Sequence, residues 1–245
     1  MNNITAIVLA AGKGKRMNSK TINKVAMPLG DKQMILHTID LLDRLNIVQK
    51  IVVVGFAKES VMDILKGRVI FAEQKKQLGT ADAVNCALQY LSKDSTDVLI
   101  LNGDDSAFYK EETISDLIKK HIQGKSSLTF LTINLDNPAG LGRIIRDNLG
   151  KVIAIVEEKE ANKEQRAISE INPSCYIFDV SFLRKYLNKV KKSNITKEYY
   201  LTGLIDLAIK NNEKIETVMA KNFAWRGINT KEELEEANRF FLQAK

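Results

Sequence analysis

Two cysteines, Cys86 and Cys175, are all that the 245 residues contain, too few and too far apart for a disulfide framework or a zinc knuckle. Each sits among apolar neighbours and is expected to be a reduced core thiol. No apolar run approaches the roughly 20 residues that a membrane span requires. The run Ile4 to Ala11 has no positive region before it and ends in Gly-Lys-Gly-Lys-Arg rather than at a small-residue cleavage site, so it reads as a buried strand and not as a signal peptide. A soluble, cytoplasmic protein is expected. Proline is scarce, with three residues in all. Internal repeats, low-complexity tracts and Pro/Gly-rich linkers are missing, which excludes a solenoid or a tethered array and favours one folded unit.

Charge of one sign is not concentrated anywhere. The 37 basic and 30 acidic residues leave a formal net charge of +7, which suits acidic partners such as nucleotides or nucleic acid. The excess is spread along the chain, however. The densest run, Arg184 to Lys197, has no nucleic-acid motif around it and reads as a solvated helix end. Hydrophobic residues make up 44%, enough for a substantial core.

Strand-like runs at Ile51 to Val54, Val69 to Ala72, Val98 to Leu101 and Leu128 to Leu135 alternate with amphipathic stretches, the signature of a parallel α/β sheet. Ile35, Ile39, Leu42 and Leu45 share one helical face. So do Val84, Ala87, Leu88 and Leu91 behind Thr80, read as an N-cap, and Ile114, Leu117, Ile118 and Ile122 before Gly124, read as the helix stop. After Leu135 the segments shorten. Arg143 to Arg146 and Val152 to Val156 flank Asn148-Leu149-Gly150 as a hairpin, and helices are expected at Ser181 to Lys191, Tyr200 to Lys210 and from Thr230 onward, the last opened by the capping box Thr230-Lys-Glu-Glu233. The expected fold is a Rossmann-like, mostly parallel mixed α/β sheet flanked by helices, with a smaller β-rich part. Residues 1–245 are read as a single domain, about 1–135 holding one half and 136–245 the other.

In such a sheet, ligands bind beyond the carboxyl ends of the strands. The first strand empties into Gly12-Lys13-Gly14-Lys15-Arg16, with Lys24 close behind. Glycines let backbone N–H groups approach a ligand and cations oppose phosphate, so this stretch reads as a polyphosphate cradle. It is neither familiar phosphate loop. The dinucleotide fingerprint needs a third glycine where Met17 sits, and the Walker loop needs Gly-Lys-Ser/Thr. Taken alone, the segment could also be an ordinary solvated basic turn. Strand four ends in Asn102-Gly103-Asp104-Asp105, which alone could be a turn; facing a triphosphate, a carboxylate there is a natural Mg²⁺ ligand.

LAAGKGKRM (Leu9 to Met17), Lys24-Val25, AEQKKQLGTADA (Ala72 to Ala83), NGDD (Asn102 to Asp105), GLGRI (Gly140 to Ile144), IVEEK (Ile155 to Lys159), EIN (Glu170 to Asn172), EYYLT (Glu198 to Thr202) and GIN (Gly227 to Asn229) follow one another in this order. The ordered set resembles the sugar-1-phosphate nucleotidyltransferases, and most closely the uridylyltransferase domain of the bifunctional N-acetylglucosamine-1-phosphate uridyltransferases, over nearly the whole chain. The resemblance implies that Leu9, Ala10, Ala11 and Gly12 line the nucleotide, that Gln74, Gly79 and Thr80 hold a pyrimidine base, and that Asn102 and Gly103 belong to the same nucleotide site. It implies catalytic, phosphate-neutralising roles for Arg16 and Lys24, a Mg²⁺ ligated by Asp104 and Asn229, and a sugar held by Gly142, Glu157 and Asn172.

The reaction so implied is transfer of a nucleotidyl group from a nucleoside triphosphate, UTP being expected, to N-acetylglucosamine 1-phosphate or a related sugar phosphate, serving cell-envelope or exported-glycan synthesis. A cytidylyl or other transfer to a different sugar or alcohol phosphate, and a catalytically silent nucleotide-sugar binder, are the alternatives. No hexapeptide period occurs, so acetyl-CoA chemistry is not expected. Several positions depart from the pattern: Asn23 stands where a proline usually precedes the catalytic lysine, Pro173-Ser174 replace a small residue and a glycine after Asn172, Gly203 replaces an aspartate, and Trp225-Arg226-Gly227 replaces an acid-containing segment. His37 and His121 are assigned no role.

Overall fold

The computed structural model describes residues 3–17, 19, 21–104, 108–220 and 227–243. Its first half is strand β1 (Ile4–Ala10), the two-residue strands β2 (Pro28–Leu29) and β3 (Lys32–Gln33), helix α1 (Met34–Arg44), β4 (Gln49–Val54), α2 (Lys58–Leu65), β5 (Ile70–Glu73), α3 (Thr80–Ala87), β6 (Asp97–Asn102), α4 (Glu111–Gly124) and β7 (Leu128–Asn134). The second half adds β8 (Gly142–Arg146), β9 (Val152–Val156), α5 (Lys163–Arg166), β10 (Glu170–Asn172), β11 (Tyr176–Asp179), α6 (Val180–Tyr186), α7 (Gly203–Lys210), β12 (Ile215–Met219) and α8 (Lys231–Gln243).

β1 reads as an unbroken apolar run because it lies between β4 and β6 and is parallel to both, so helices must cover each of its faces. Strand alternation divides its side chains. Ala6, Val8 and Ala10 join the cluster under α1, α2 and α4, with Ile35, Ile39, Val61, Leu65, Ile114 and Leu117. Ile7 turns the other way, toward Val84 and Ala87 of α3, Leu183 of α6 and Leu204 and Ala208 of α7. Each such aliphatic side chain contributes on the order of 1.5–3 kcal/mol when fully buried. With β5 beside β4, four parallel strands end on one edge at Ala10, Val54, Glu73 and Asn102.

The parallel α/β reading of the first half holds for β5, β4, β1 and β6. The strand at Leu128 to Leu135 forms, yet it does not pair with β6. β11, from the second half, inserts antiparallel between β6 and β7, and β12 pairs parallel with β7. The sheet order is β5-β4-β1-β6-β11-β7-β10-β8-β9. Periodicity reveals that a strand exists and leaves its neighbour to tertiary contacts, which is why this insertion was invisible in the sequence. The hairpin of β8 and β9 forms as expected.

Helix ends shift in several places, and α7 begins at Gly203 rather than at Tyr200. Gly79, not Thr80, is the N-cap of α3, and the Thr80 hydroxyl instead accepts from the Leu201 N–H at 2.8 Å. Gly124 stays inside α4, whose left-handed terminus is Lys125 with φ +47°. α6 starts at Val180 because the Asp179 carboxylate caps Phe182 N–H at 2.8 Å. His121, left without a role, is buried and bonded to Asp97 and Thr129. Among the described residues no helix is long and apolar enough to cross a membrane.

Candidate active site

A cleft of about 840 Å³ opens at the shared edge where β1, β5 and β6 end. Leu9, Ala10, Ala11 and Gly12 form its floor, continued by Lys13, Gly14 and the exposed Arg16. Gln74, Gly79 and Thr80 form one part of its wall, and Lys24, Asn102, Asp104 and Asn229 form another. Gly103 lies beneath the lining. Its N–H bonds Leu9 O at 3.0 Å, and a Cβ there would stand 2.8 Å from Ile35 Cδ1 and 3.3 Å from Leu9 O, so a larger residue would have to displace the Ile35 side chain.

Lys24 opens a one-turn 3-10 segment whose root is Asn23, 1% exposed. The Asn23 carboxamide nitrogen donates to Ala10 O at 2.9 Å, Phe56 O at 2.8 Å and Gly12 O at 3.3 Å. Its oxygen accepts from Val25 N–H at 3.1 Å. One buried side chain thus ties the ends of β1 and β4 to the glycine loop and to the turn that carries Lys24. Where the sequence showed only a departure from proline, the structure shows an anchor. A buried polar group engaged so fully fixes its surroundings because any displacement strands several partners.

The Lys24 ammonium pairs with the Asp104 carboxylate and donates to Asn229 Oδ1 at 3.2 Å. Asn229 is held by the start of α8: its N–H and that of Thr230 donate to Glu233 Oε2, at 2.5 and 3.0 Å, and Glu233 N–H returns a bond to Thr230 Oγ1 at 3.2 Å, the expected capping box. Two oxygens from residues 125 positions apart in the sequence therefore converge on one positive centre. Oxygens of this type are ones a hard divalent cation accepts, and here they hold the ammonium between them. Asp105, Trp225 and Arg226 lie outside the described residues.

Gly79 has φ +117°, and a Cβ on it would meet Tyr199 O at 2.4 Å and Tyr199 N at 2.6 Å. That closeness comes from a zipper of main-chain bonds: Tyr199 N–H to Leu78 O at 2.8 Å and Ala81 N–H to Tyr199 O at 2.9 Å. The next residues lead away from the cleft. Thr202 Oγ1 donates to Glu157 Oε1 at 2.9 Å, which joins the wall holding Gly79 to a second cluster.

That cluster gathers the three residues expected to hold a sugar, none of which lines the cleft itself. Gly142 and Asn172 are paired across β8 and β10. A Cβ on Gly142 would lie 3.6 Å from Glu157 Oε2. Asn172 donates to the Tyr176 hydroxyl and accepts from Ser174 N–H at 2.9 Å. Burial raises the Glu157 carboxyl above its ordinary range, only partly offset by the Thr202 hydroxyl, and burial likewise raises the Tyr176 phenol. Ser174, standing where a glycine is usual, takes φ +60°, so the turn keeps a glycine-like path. Gly203 is explained by Val190, whose Cγ1 would be 2.9 Å from any Cβ there. Asn23, Tyr176 and Glu198, which also lines the cleft, went unassigned in the sequence. Only the polar character of Asn23 and Glu198 amid site motifs could have flagged them.

A sequence profile of the nucleotidyl transferase family matches residues 5–244. The chain belongs to this family. Among curated members it is 44% identical over 233 residues to the bifunctional protein GlmU of Caldicellulosiruptor saccharolyticus, a match covering 94% of this chain and 50% of that one. It is 41% identical over 212 residues to the protein of the same name from Carboxydothermus hydrogenoformans, covering 86% and 47%. The chain thus spans about half the length of these curated relatives. A crystal structure of a provisionally assigned glucose-1-phosphate thymidylyltransferase from Bacillus anthracis, solved with sucrose, superposes with a TM-score of 0.83 at 21% identity, covering 97% of this chain and 95% of that one. This nucleotidyl transferase therefore shares its fold with that structure, as the mixed sheet flanked by helices led one to expect.

Proposed function

We propose that the protein transfers a uridylyl group from UTP to a sugar 1-phosphate, N-acetylglucosamine 1-phosphate or a close relative, with release of pyrophosphate and with Mg²⁺. The observation that carries the proposal is the meeting of Lys24, Asp104 and Asn229 at the mouth of the glycine loop. A nucleotide-binding fold alone does not need a cation and two metal-type oxygens at one point; a reaction that builds negative charge there does. Residues 1–245 act in this reading as one transferase domain, 1–135 contributing the nucleotide half and 136–245 the sugar half, working where nucleoside triphosphates are made, in the cytoplasm.

An oxygen of the sugar phosphate attacks the α-phosphorus in line with the bond to the β-phosphate, which breaks and leaves with pyrophosphate. The attacking phosphate is already ionised near neutral pH, so no protein base is needed and catalysis is positioning plus charge stabilisation. Lys24, fixed on its anchored turn, offsets charge at the α-phosphate, and Arg16 with the glycine loop's N–H groups offsets that of the leaving pyrophosphate. Magnesium held by Asp104 and Asn229 would supply additional neutralisation of the triphosphate. Glu157 accepts from sugar hydroxyls, and Asn172 with the Gly142 backbone borders the same group.

The test is pyrophosphate release by the purified chain across nucleoside triphosphates and sugar or alcohol 1-phosphates with Mg²⁺. Release that requires UTP together with a sugar 1-phosphate is the expected result. Release with CTP in preference would move the base assignment, and nucleotide binding without release in any combination would overturn the transferase reading.

A further inference from the structure

Gln74 lines the cleft yet is only 3% exposed, and both hydrogens on its carboxamide nitrogen are engaged. Nε2 donates to Gly79 O at 3.1 Å and to Asp82 Oδ2 at 2.6 Å. A carbonyl and an ionised carboxylate accept and cannot donate. The nitrogen and oxygen of an amide are usually interchangeable without such constraint, but here reversal would set the oxygen against two acceptors, one of them charged. Oε1 is the single polar atom of that side chain with no partner among the described residues, and so the one that can meet a ligand in the cleft.

We propose that Asp82 is a positioning residue that sets nucleotide specificity: by holding the Gln74 nitrogen, it leaves an acceptor facing the base and so selects a pyrimidine that carries a ring N–H. Uracil presents a donor at N3. Cytosine presents an acceptor at the same ring position, and two acceptors in contact leave both without a hydrogen bond in a water-poor site. The bond from Gln74 to Asp82 is charge-assisted, stronger than an amide pair would be, so one carboxylate that never touches the nucleotide fixes the polarity of the group that does. The inference rests on reading the cleft as the pyrimidine nucleotide site.

Asp82 also lies in the first turn of α3, where a carboxylate favours the helix terminus. A role confined to that would lower stability and weaken all nucleotides alike. Specificity is therefore the discriminating quantity. UTP and CTP are compared for kcat/KM, with the sugar phosphate at saturation, and for equilibrium binding, using the whole chain and its Asp82→Asn, Asp82→Ala and Gln74→Ala variants. Asp82→Asn keeps the shape but offers an N–H beside its oxygen, which removes the charged acceptor and leaves only Gly79 O opposing a reversed Gln74 amide.

The wild-type chain should favour UTP, and the UTP:CTP ratio should fall about tenfold or more in both Asp82 variants, with the KM for the sugar phosphate unchanged. In Gln74→Ala the ratio should already be low, and adding Asp82→Asn should lower it no further. An unchanged ratio in both Asp82 variants, or a wild-type preference for CTP, overturns the proposal. Absence of turnover with every substrate pair would instead count against the transferase reading, while the UTP:CTP binding ratio would still decide the part played by Asp82.

Discussion

Asn23 donates its carboxamide N–H to the main-chain carbonyl of Phe56, 2.8 Å away, and so links the turn before Lys24 to the loop after β4. With Ala10 O and Val25 N–H also served by this side chain, the position of the Lys24 ammonium depends on a buried carboxamide engaged with the main chain.

Asn23→Ala should therefore destabilise the fold by about 1–3 kcal/mol, the cost of buried carbonyls and an N–H left unpaired. Urea unfolding of the two proteins side by side gives this figure. Equal midpoints would mean that the bonds contribute nothing to the folded state.

Lys24→Ala should slow turnover by on the order of a hundredfold or more, the scale of losing one preorganised charge-stabilising donor. The side chain is 11% exposed and lines the cleft, so the fold should survive. Steady-state kinetics separates the effects: kcat falls and the KM for the sugar phosphate changes little. An unchanged kcat would remove Lys24 from the mechanism.

With Glu157 holding the sugar as proposed, sugar binding should be sensitive to acid. Burial raises its carboxyl above the ordinary range, so the carboxylate that accepts from the sugar is lost, as pH falls, at a higher pH than an exposed glutamate would show. For stability the sign is opposite. A raised folded-state value means that the native chain holds the proton more tightly than the unfolded one, so this group's contribution is complete below the unfolded value and is lost as pH rises through the folded value. Glu157→Gln should raise the KM for the sugar phosphate, flatten the acid limb of its pH profile and leave stability at neutral pH equal or slightly higher. A KM profile with an unaltered acid limb would assign that limb to another group.

The strands β1, β4 and β6 were legible in the sequence because burial on both faces demands continuous apolar runs, and the glycine loop was legible because few other purposes place glycine and cation side by side after a strand. Asp104 and Asn229 are 125 positions apart in sequence, and only their motifs hinted at proximity. Their approach through the Lys24 ammonium depends on the capping box of α8, a local signal that the sequence does show. What could not be read was long-range: β11 slipping between β6 and β7, Tyr199 zipping onto Leu78 and Ala81, Val190 filling the space beside Gly203. Asn23 illustrates the limit best, since a single letter reports a polar side chain and the fold alone reports which carbonyls surround it.

The central claim, that Asp104 and Asn229 hold the metal used in transfer, is tested most directly by titrating Mg²⁺ in the pyrophosphate-release assay with wild-type, Asp104→Asn and Asn229→Ala proteins. The half-saturating Mg²⁺ concentration should rise at least about tenfold in each variant, a loss that even outer-shell partners of a metal commonly produce. Variants that reach full activity at the wild-type Mg²⁺ concentration would contradict the account.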